Sequence, residues 1–437
     1  MDITFYGGAS EVGRSCFLLE NNQQTNNLLL DCGIKLGEKT EYPNLSDEQI
    51  KNLKNIFISH AHLDHSGYLP HVYAKGAKPN VFMTKPTRDL IGVLLADYLR
   101  LHNMKDEQKL FTQKDVDSVI QNANIVEFNQ LYDTIKKPFE FSLYNAGHVL
   151  GSAMIKLNIN NGILYTGDIC LRNSRILSAC EKNISAETLI VEGTYGNKTD
   201  SIPSFKDSAQ KMVDLINQTI KEGGHVIIPS FAVGRAQEIL LMLDDYMRSG
   251  ALKETKIYVE GMITKAMRIF RHNAFYASDE IKKRILMSED DPFKSKFFNV
   301  SKSKTREDVL SEPSIIVTTS GMLSGGPVLF YIKKLAADPK NRIIFCGYQA
   351  EGTLGRKILS GEKKVMVEET EVEINCKISE VRISGHADYT ELIQFIKGVK
   401  GLKKVFLVHN EGKTDLKNAL EKKYEIIIPK IGESFKI

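Results

Sequence analysis

Three histidines and one aspartate lie within six residues of this chain, and side chains of these types bind divalent metal ions. They are His60, His62, Asp64 and His65, directly after the apolar stretch 55–59. Neutral imidazoles together with an ionised carboxylate are typical ligands of zinc. On an extended segment His60 and His62 point the same way, and the two later ligands are far enough along to reach a second ion. A polar surface loop would give no reason for four strong ligands to converge.

Further candidate ligands stand in suitable settings later in the chain. His148 lies in a glycine-bounded turn, where the backbone can approach a ligand closely. Asp168 follows the strand-like stretch 163–167, where a carboxylate can bridge two cations, and Asp31 follows the apolar stretch 27–30. The order Asp, HxHxDH, His, Asp resembles that of the metallo-β-lactamase superfamily of dinuclear hydrolases, and the resemblance covers the whole chain.

Three later motifs are similar to those of the β-CASP nucleases, which are metallo-β-lactamase enzymes that cut nucleic acid. These motifs contain Glu192, His386 and His409, and the segment 229–238 looks like the family's inserted domain. Within the family, the chain most resembles the endonuclease subunit of the cleavage and polyadenylation specificity factor, including short prokaryotic homologues without KH domains. The HAHLDHSG form of residues 60–67 and the segments 319–322 and 347–352 favour this branch over ribonuclease J.

Two residues depart from the family pattern. Gly193 stands where serine is usual, and Asn410 stands where glycine is usual. Neither departure removes a presumed ligand, so the expected reaction is unchanged.

The resemblance implies an α/β fold, a metallo-β-lactamase αββα sandwich with an inserted parallel α/β β-CASP domain. Short apolar runs indicate strands of the first sheet at 3–5, 16–19, 28–30, 56–58, 155–157 and 189–191. Helical spacing is found at 90–101, 106–119, 204–221 and 235–248, and further strands are expected at 226–229, 257–259, 381–383 and 405–408. Strands and helices alternate after residue 196, which is typical of a parallel α/β unit.

The middle of the chain should be an insertion, because His409 has to join His65 and Asp168. We therefore expect the first part of the metallo-β-lactamase domain at 1–196, the β-CASP domain at 197–378, and the return to the first domain at 379–437. A chain of 437 residues is long enough for two domains with substantial cores.

Composition agrees with a globular protein that remains in the cytoplasm. Hydrophobic residues make up 42% of the chain and charged residues 26%. No apolar run approaches the roughly 20 residues needed to cross a bilayer, and the first residues have no signal-peptide pattern. The six cysteines form no CxxC pair, which argues for reduced thiols in the core and against a cysteine zinc site.

Basic residues are concentrated in the middle third of the chain, as a phosphate-binding face would require. Acidic residues interrupt this run, so a solvated charged face is the alternative interpretation. The net charge of +4 does not distinguish between these two interpretations. Backbone N–H groups at glycine turns and helix N-termini also bind phosphate. The candidates for holding the RNA backbone are Ser230, Gly234, Arg235, Arg268, Arg271, Ser320 and Gly321.

The expected reaction is metal-assisted hydrolysis of a phosphodiester, with two zinc ions activating a water molecule. The first ion is assigned to His60, His62 and His148, the second to Asp64, His65 and His409, and Asp168 bridges the two. Asp31 is expected to orient a metal-bound histidine or the hydroxide. The resemblance implies that His386 is the general acid and that Glu192 holds it protonated.

The predicted function is that of a zinc-dependent endoribonuclease in RNA processing or decay, with 5′-to-3′ exonuclease activity left open. Single-stranded RNA is the expected partner, and the resemblance implies a homodimer and a place in an RNA-processing complex. Three alternatives remain: a small-molecule metallohydrolase, a DNA nuclease of the Artemis-like branch, and a non-catalytic RNA-binding subunit. The first would not explain the insertion or His386. The second branch usually lacks a histidine where His409 stands, and the third usually lacks metal ligands that are present here.

Overall fold

The computed structural model describes residues 1–20, 27–37, 39–104, 110–134, 139–288 and 290–437. These residues form two units. Unit 1 contains Met1–Asn173, Leu177–Ser201 and His386–Ile437, and unit 2 contains Ser174–Ile176 and Ile202–Gly385. The domain boundaries expected from the sequence stay predictions. Within the described ranges, no helix combines the length and apolar character that crossing a membrane requires.

Most strands are short and apolar, and they occur in both units. In chain order they are β1 (Asp2–Gly7), β2 (Cys16–Glu20), β3 (Asn27–Leu30), β4 (Leu53–Phe57), β5 (Asn80–Met83), β6 (Ala123–Ile125), β7 (Tyr132–Asp133), β8 (Glu140–Asn145), β9 (Ala153–Leu157), β10 (Ile163–Tyr165), β11 (Thr188–Glu192), β12 (Val226–Pro229), β13 (Ile257–Val259), β14 (Phe298–Val300), β15 (Ile315–Thr318), β16 (Arg342–Phe345), β17 (Lys364–Val367), β18 (Thr370–Glu373), β19 (Lys377–Glu380), β20 (Lys404–Val408), β21 (Glu425–Ile427) and β22 (Ser434–Lys436).

The helices connect these strands. In chain order they are α1 (Asp47–Asn52), α2 (Leu63–Ser66), α3 (Leu69–Ala74), α4 (Lys85–Met104), α5 (Gln113–Asn122), α6 (Phe205–Lys221), α7 (Arg235–Arg248), α8 (Ile263–His272), α9 (Asp279–Met287), α10 (Arg306–Val309), α11 (Val328–Leu335), α12 (Leu354–Leu359), α13 (Tyr389–Gly398) and α14 (Asp415–Leu420).

Unit 1 is a sandwich of two sheets. The strand order is β22-β1-β2-β3-β4-β5-β6 in the first sheet and β21-β20-β11-β10-β9-β8-β7 in the second. Aromatic side chains of the two sheets meet in the core: the ring centroids of Phe17 and Tyr165 are 5.4 Å apart, and those of Phe5 and Phe406 are 5.3 Å apart. Burial of such side chains is the main stabilising contribution to a sandwich of this kind.

Helices cover the outer faces of both sheets of unit 1. In the second sheet, Leu189 and Leu407 belong to one apolar cluster with Leu392 and Phe395 of α13 and Leu416 of α14. At the first sheet, α5 contacts β5 and also packs against α3 and α4. The layer order is therefore helix, sheet, sheet, helix, and the predicted αββα sandwich is confirmed.

Unit 2 contains a parallel sheet with the strand order β14-β13-β15-β12-β16-β19. Apolar residues of β15 and β16 pack against α11 and against the antiparallel hairpin formed by β17 and β18. The central strands β12, β15 and β16 are fully buried, as a sheet with helices on its two sides requires. The predicted parallel α/β unit is confirmed.

Three details differ from the prediction. The runs 155–157 and 189–191 belong to the second sheet of unit 1, since β9 and β11 pair with β10. The strand expected at 381–383 lies earlier, as β19, because residues 377–380 are the ones paired with β16. The helix expected at 106–119 falls partly outside the described residues, and α5 begins at Gln113.

Candidate metal centre and active site

The candidate ligands of unit 1 follow the carboxyl ends of neighbouring strands. Asp31 follows β3 and His60 follows β4, and these two strands pair in parallel. In the second sheet, Asp168 follows β10, Glu192 ends β11 and His409 follows β20, and these three strands are also parallel neighbours. Carboxyl ends of parallel strands meet at one edge of a sheet, so ligands far apart in sequence are brought together there.

Backbone contacts hold the segment 60–65 against residues 32–34. Cys32 N–H donates to the carbonyl oxygen of His65 at 2.8 Å, and Ile34 N–H donates to that of Leu63 at 2.9 Å. A Cβ at Gly33 would lie 1.8 Å from the carbonyl oxygen of Asp64, so only glycine allows this close approach. The ligands of this segment are thus fixed by the backbone.

The first ligand cluster contains His60, His62, His148 and Asp168. One donor atom from each residue lies within 4.8 Å of every other. Nε2 of His60 and Nε2 of His148 are each 3.2 Å from Nδ1 of His62 and 3.6 Å from Oδ2 of Asp168. This is the set that the sequence assigns to the first zinc ion.

The second cluster contains Asp64, His65 and His409, again with donor atoms within 4.8 Å of one another. Oδ2 of Asp64 is 3.3 Å from Nε2 of His409 and 3.8 Å from Nε2 of His65. Oδ1 of Asp168 is 3.5 Å from Nε2 of His65. Asp168 therefore directs one carboxylate oxygen to each cluster, as a bridging ligand would.

Asp31 is buried behind His65 and accepts three side-chain hydrogen bonds. Its Oδ2 lies 2.6 Å from Nδ1 of His65, and it also accepts from the hydroxyl of Ser59 at 2.7 Å and from that of Tyr165 at 2.5 Å. The Ser59 N–H donates to Oδ1 at 2.7 Å. This carboxylate fixes the His65 ring with Nε2 towards the cluster, an arrangement common for histidine ligands of zinc.

The electrostatics of the centre also suit cations. Burial lowers the pKa of His60, and the neighbouring imidazoles of His65 and His148 lower it further, so His60 is neutral as a ligand must be. Burial also lowers the pKa of His65, but the carboxylates of Asp168, Asp64 and Asp31 outweigh burial and raise that pKa to about 10. The three carboxylates thus make the electrostatic environment of His65 favourable for a positive charge.

A zinc ion fits this donor set. Nε2 of His65 and Oδ1 of Asp168 are buried without a hydrogen-bond partner among the described residues, and they face each other across 3.5 Å. Unpaired polar atoms in a protein interior are costly, and imidazole nitrogen with carboxylate oxygen is the chemistry that zinc prefers.

His386 and Glu192 form a pair beside the first cluster. Nδ1 of His386 is 2.9 Å from Oε2 of Glu192 and 3.9 Å from Oδ2 of Asp168. Burial raises the pKa of Glu192, but its interaction with His386 outweighs burial and leaves the pKa below its usual range. The Glu192 side chain is 1% exposed, whereas that of His386 is 19% exposed, so the imidazole is the member that solvent reaches.

The position of His386 is fixed from both sides. Its carbonyl oxygen accepts from Arg172 Nη2 at 2.9 Å, and the next residue, Ala387, donates its N–H to the carbonyl oxygen of Ile169 at 2.7 Å. Two residues after His386, Asp388 caps the N-terminus of α13 through a reciprocal pair of hydrogen bonds with Glu391. The sequence motif at 384–388 therefore combines a functional histidine with a helix start.

Sequence reasoning did not single out four residues that support the centre: Ser59, Tyr165, Arg172 and Thr194. Besides the contacts above, the hydroxyl of Thr194 lies 3.1 Å from Nδ1 of His409. Ser59 and Thr194 could have been noticed as neighbours of the ligand motifs. Nothing in the local sequence of Tyr165 or Arg172 shows which residue it contacts.

The candidates for holding RNA all lie in unit 2, in two groups. Ser230, Gly234 and Arg235 follow β12, and Ser320 and Gly321 follow β15 at the same edge of the sheet. Arg268 and Arg271 are on α8. Arg268 is exposed, whereas Arg271 forms an ion pair with Asp291.

Other basic residues of the middle third also have acidic partners. Arg284 is 3.0 Å from Asp290, and Arg306 is 2.6 Å from Glu260. Part of the basic run therefore stabilises unit 2 internally.

Three family models match separate parts of the chain. The Beta-Casp domain matches residues 236–358, the Zn-dependent metallo-hydrolase RNA specificity domain matches residues 371–429, and the anti-Pycsar protein Apyc1 matches residues 1–196. The matches thus extend over both units described above.

Curated relatives are similar over almost the whole chain. The transcription termination factor FttA of Methanothermobacter thermautotrophicus is 38% identical over 97% of this chain and 69% of its own length. That of Methanocaldococcus jannaschii is 37% identical over 94% of this chain and 67% of its own length. An RNase J-like protein of M. jannaschii is 37% identical over 94% of this chain and 92% of its own length.

Among solved structures, a protein of unknown function from Enterococcus faecalis V583 matches with a TM-score of 0.60 over 99% of both chains. At 15% identity this likeness supports the fold alone. Together with the ligand clusters, the family and relative matches confirm that the protein is a zinc-dependent metallohydrolase. The chain belongs to the β-CASP family of metallo-β-lactamase ribonucleases and is a homologue of archaeal FttA.

Proposed function

We propose that this protein is an endoribonuclease that cuts single-stranded RNA with two zinc ions, and exonuclease action from the 5′ end is left to the experiment below. The observation that carries the proposal is that Asp168 directs its two carboxylate oxygens to two separate ligand clusters. A centre for one ion would leave the second cluster without a purpose. The RNA specificity domain match supports RNA as the substrate.

The residues of unit 1 divide the work of holding the metal. His60, His62 and His148 would hold one ion, and Asp64, His65 and His409 the other, with Asp168 shared. Bound zinc supplies Lewis-acid activation of water and stabilises the charge that develops on the phosphate oxygens. Asp31 keeps the His65 ring oriented, because its hydrogen bond to Nδ1 fixes which nitrogen faces the cluster.

His386 is the proposed general acid for the departing alkoxide. Its imidazole is close to the cluster and partly exposed, and the Glu192 carboxylate at 2.9 Å favours the protonated ring. A proton delivered from His386 would convert the leaving oxygen to a neutral hydroxyl. Glu192 also accepts the Ile169 N–H at 2.7 Å, which holds the carboxylate in place for this role.

The alternatives explain less of the chain. A hydrolase of small molecules does not account for unit 2, and a non-catalytic RNA-binding protein does not account for a complete ligand set. A DNA nuclease of the Artemis-like branch would not be expected to have His409. For these reasons we propose RNA processing or decay. We also propose that the protein is a homodimer, as the family resemblance implies, and that it acts in the cytoplasm.

A second candidate role is termination of transcription through cleavage of the emerging RNA. Its support is the 36–38% identity with transcription termination factors FttA from Methanothermobacter, Pyrococcus and Thermococcus, over 97% of this chain. In this role the protein would work with a transcription complex as its partner. Release of transcripts from stalled elongation complexes, compared with cleavage of free RNA, would distinguish the two roles.

The decisive experiment uses RNA labelled at either end, with single-stranded DNA of the same sequence as control. Internal fragments from RNA alone would support endoribonuclease action, and mononucleotides from the 5′ end would support exonuclease action. Zinc content should be two ions per chain by elemental analysis. Equal cleavage of DNA, or one ion at full activity, would contradict the proposal.

A further inference from the structure

One edge of the parallel sheet of unit 2 brings together three loops that follow β12, β15 and β16. The side chain of Gln349, in the loop after β16, ties two of them together: its Nε2 donates to the carbonyl oxygens of Gly321 at 3.0 Å and of Gly347 at 3.2 Å. The loop after β12 is anchored by the Ser230 N–H, which donates to Thr318 at 2.9 Å. Ligands of parallel α/β sheets bind at this carboxyl edge.

Phe231 lies in the first of these loops, and its ring packs beside two glycines. A Cβ at Gly321 would be 3.2 Å from Cδ2 of the ring, and a Cβ at Gly347 would be 3.5 Å from Cε2. The ring is thus supported by backbone segments that carry no side chains of their own. Even so, Phe231 is 38% exposed. A phenylalanine that is held in place and still open to solvent has a surface available for a flat partner.

A second exposed aromatic side chain lies on the neighbouring loop. Tyr348 is 42% exposed and follows β16, which is the parallel neighbour of β12. Phe231 comes two residues after the end of β12 and Tyr348 three residues after the end of β16, so both lie at the carboxyl edge of these paired parallel strands. By contrast Phe275, which is 76% exposed, lies in a separate helical turn far along the chain from these loops.

The surroundings of this edge suit a nucleotide. The fourteen-residue helix α7 begins at Arg235, four residues after Phe231, so the positive end of its dipole and a guanidinium are close in sequence to the ring. Nucleobases stack on aromatic side chains, and nearby positive charge attracts the attached phosphate. An apolar peptide would need a continuous apolar groove, whereas the aromatic side chains here are interspersed with glycine, serine and arginine.

We infer that Phe231, together with Tyr348, stacks a nucleobase of the single-stranded RNA substrate and so positions the strand on unit 2. The inference rests on the proposed function, because it names how that substrate is held. Stacking tolerates any base, so this subsite binds RNA without reading its sequence.

The absence of tryptophan from this chain allows a direct test. The Phe231→Trp variant carries a single tryptophan at the subsite, and Phe275→Trp carries one at an exposed control site elsewhere in unit 2. Each zinc-loaded variant is titrated with a 2′-O-methyl oligonucleotide that resists cleavage, and with an abasic oligonucleotide of the same length. We expect saturable fluorescence quenching only for Phe231→Trp and only with bases present.

Kinetics provide the second measurement. Phe231→Ala should raise KM for RNA about tenfold or more with a smaller effect on kcat, the usual loss for one stacked base. Phe231→Tyr should remain near the wild type because the ring is kept, and Phe275→Ala should match the wild type. Circular dichroism checks that Phe231→Ala is folded. If it is not folded, the fluorescence titration of Phe231→Trp alone tests the stacking inference.

The outcomes separate the two proposals. Absent quenching at Phe231→Trp, equal quenching at Phe275→Trp or with the abasic strand, or an unchanged KM in folded Phe231→Ala would each overturn the stacking inference. Failure of the wild type to cleave RNA would instead overturn the proposed function, since quenching does not depend on cleavage.

Discussion

Asn410 fills the space next to Gly193 beside the metal centre. A Cβ at Gly193 would lie 2.9 Å from Nδ2 of Asn410 and 3.0 Å from its Cβ. Asn410 is fully buried and closes a turn with Lys413, accepting its N–H at 2.6 Å and donating to its carbonyl oxygen at 3.0 Å. The two departures from the family pattern are therefore one feature. In this chain the glycine is at position 193 and the side chain is at position 410, on opposite sides of one contact.

This contact predicts a non-additive pair of substitutions. Gly193→Ser should lower the free energy of unfolding by about 1 to 3 kcal/mol, because the new side chain overpacks against Asn410. Asn410→Gly should also destabilise, through loss of the turn hydrogen bonds. The double variant should recover much of the Gly193→Ser loss, as measured by urea unfolding and by kcat. Simple additivity would show that the two positions do not compensate each other.

Asp31 should control zinc affinity without being a ligand. Asp31→Asn weakens the hydrogen bond that orients His65, so zinc affinity should fall about 10- to 100-fold, measured by competition with a chelator. Tyr165→Phe is the matched control, since it removes one donor to the same carboxylate and leaves the His65 bond intact. An equal loss in both variants would mean that burial, and not orientation of the ring, sets the affinity.

Asp168 should be needed by both ions. Asp168→Ala removes a carboxylate that faces both clusters, so zinc content should drop and RNA cleavage should be lost while far-ultraviolet circular dichroism stays close to that of the wild type. Removing zinc from the wild type with a chelator should give the same inactive state and be reversible on adding zinc. Full activity of Asp168→Ala would exclude a shared ligand.

The two late histidines should separate into a ligand and an acid. His409→Ala should lose zinc as well as rate. His386→Ala should retain both ions and lose roughly 10² to 10⁴ in kcat, the usual contribution of a general acid. On an activated nitrophenyl diester, whose leaving group needs no proton, the His386→Ala loss should shrink. Loss of zinc in His386→Ala, or an equal defect on both substrates, would refute the acid assignment.

Salt dependence should separate two arginines of α8. Arg268 is exposed, so Arg268→Glu should raise KM for RNA and reduce the decline of affinity with rising salt. Arg271 is paired with Asp291, so Arg271→Glu should mainly lower the melting temperature by leaving like charges opposed. Thermal unfolding and KM at two salt concentrations test both. An unaltered KM in Arg268→Glu would favour the interpretation of the basic run as a solvated charged face that does not bind RNA.

The sequence alone indicated most strands and most candidate ligands because both depend on short local signals, whereas the αββα sandwich was implied by the family resemblance. Apolar runs predict the strands, and ligand types mark strand ends, so the positions of His60, Asp168 and His409 could be anticipated. The pairing of Glu192 with His386 came only from the family resemblance, since the two are 194 residues apart. The structure brings them within hydrogen-bond distance.

Long-range contacts were beyond the sequence. Gly193 and Asn410 were seen as two unrelated departures, because no local pattern shows which buried side chain fills which space. The sequence leaves open whether the basic run is a phosphate-binding face or a solvated charged face. It does not show that Arg271 pairs with Asp291, because that contact depends on how α8 packs against the following loop. The strand expected at 381–383 lies at 377–380 instead. Apolar residues indicate burial, but a strand is assigned from its backbone pairing with a neighbouring strand, and residues 377–380 are the ones that pair with β16.

The joining of His409 to Asp64, 345 residues earlier, has a consequence for synthesis of the protein. Translation delivers β1 to β11 first, then Ile202–Gly385 of unit 2, and only then the segment with His386 and β20. A nascent or truncated chain that ends before residue 409 lacks a ligand of the second cluster, and one that ends before residue 386 also lacks the proposed acid. We therefore expect such an incomplete chain to be unable to cleave RNA, including the messenger RNA that is being translated.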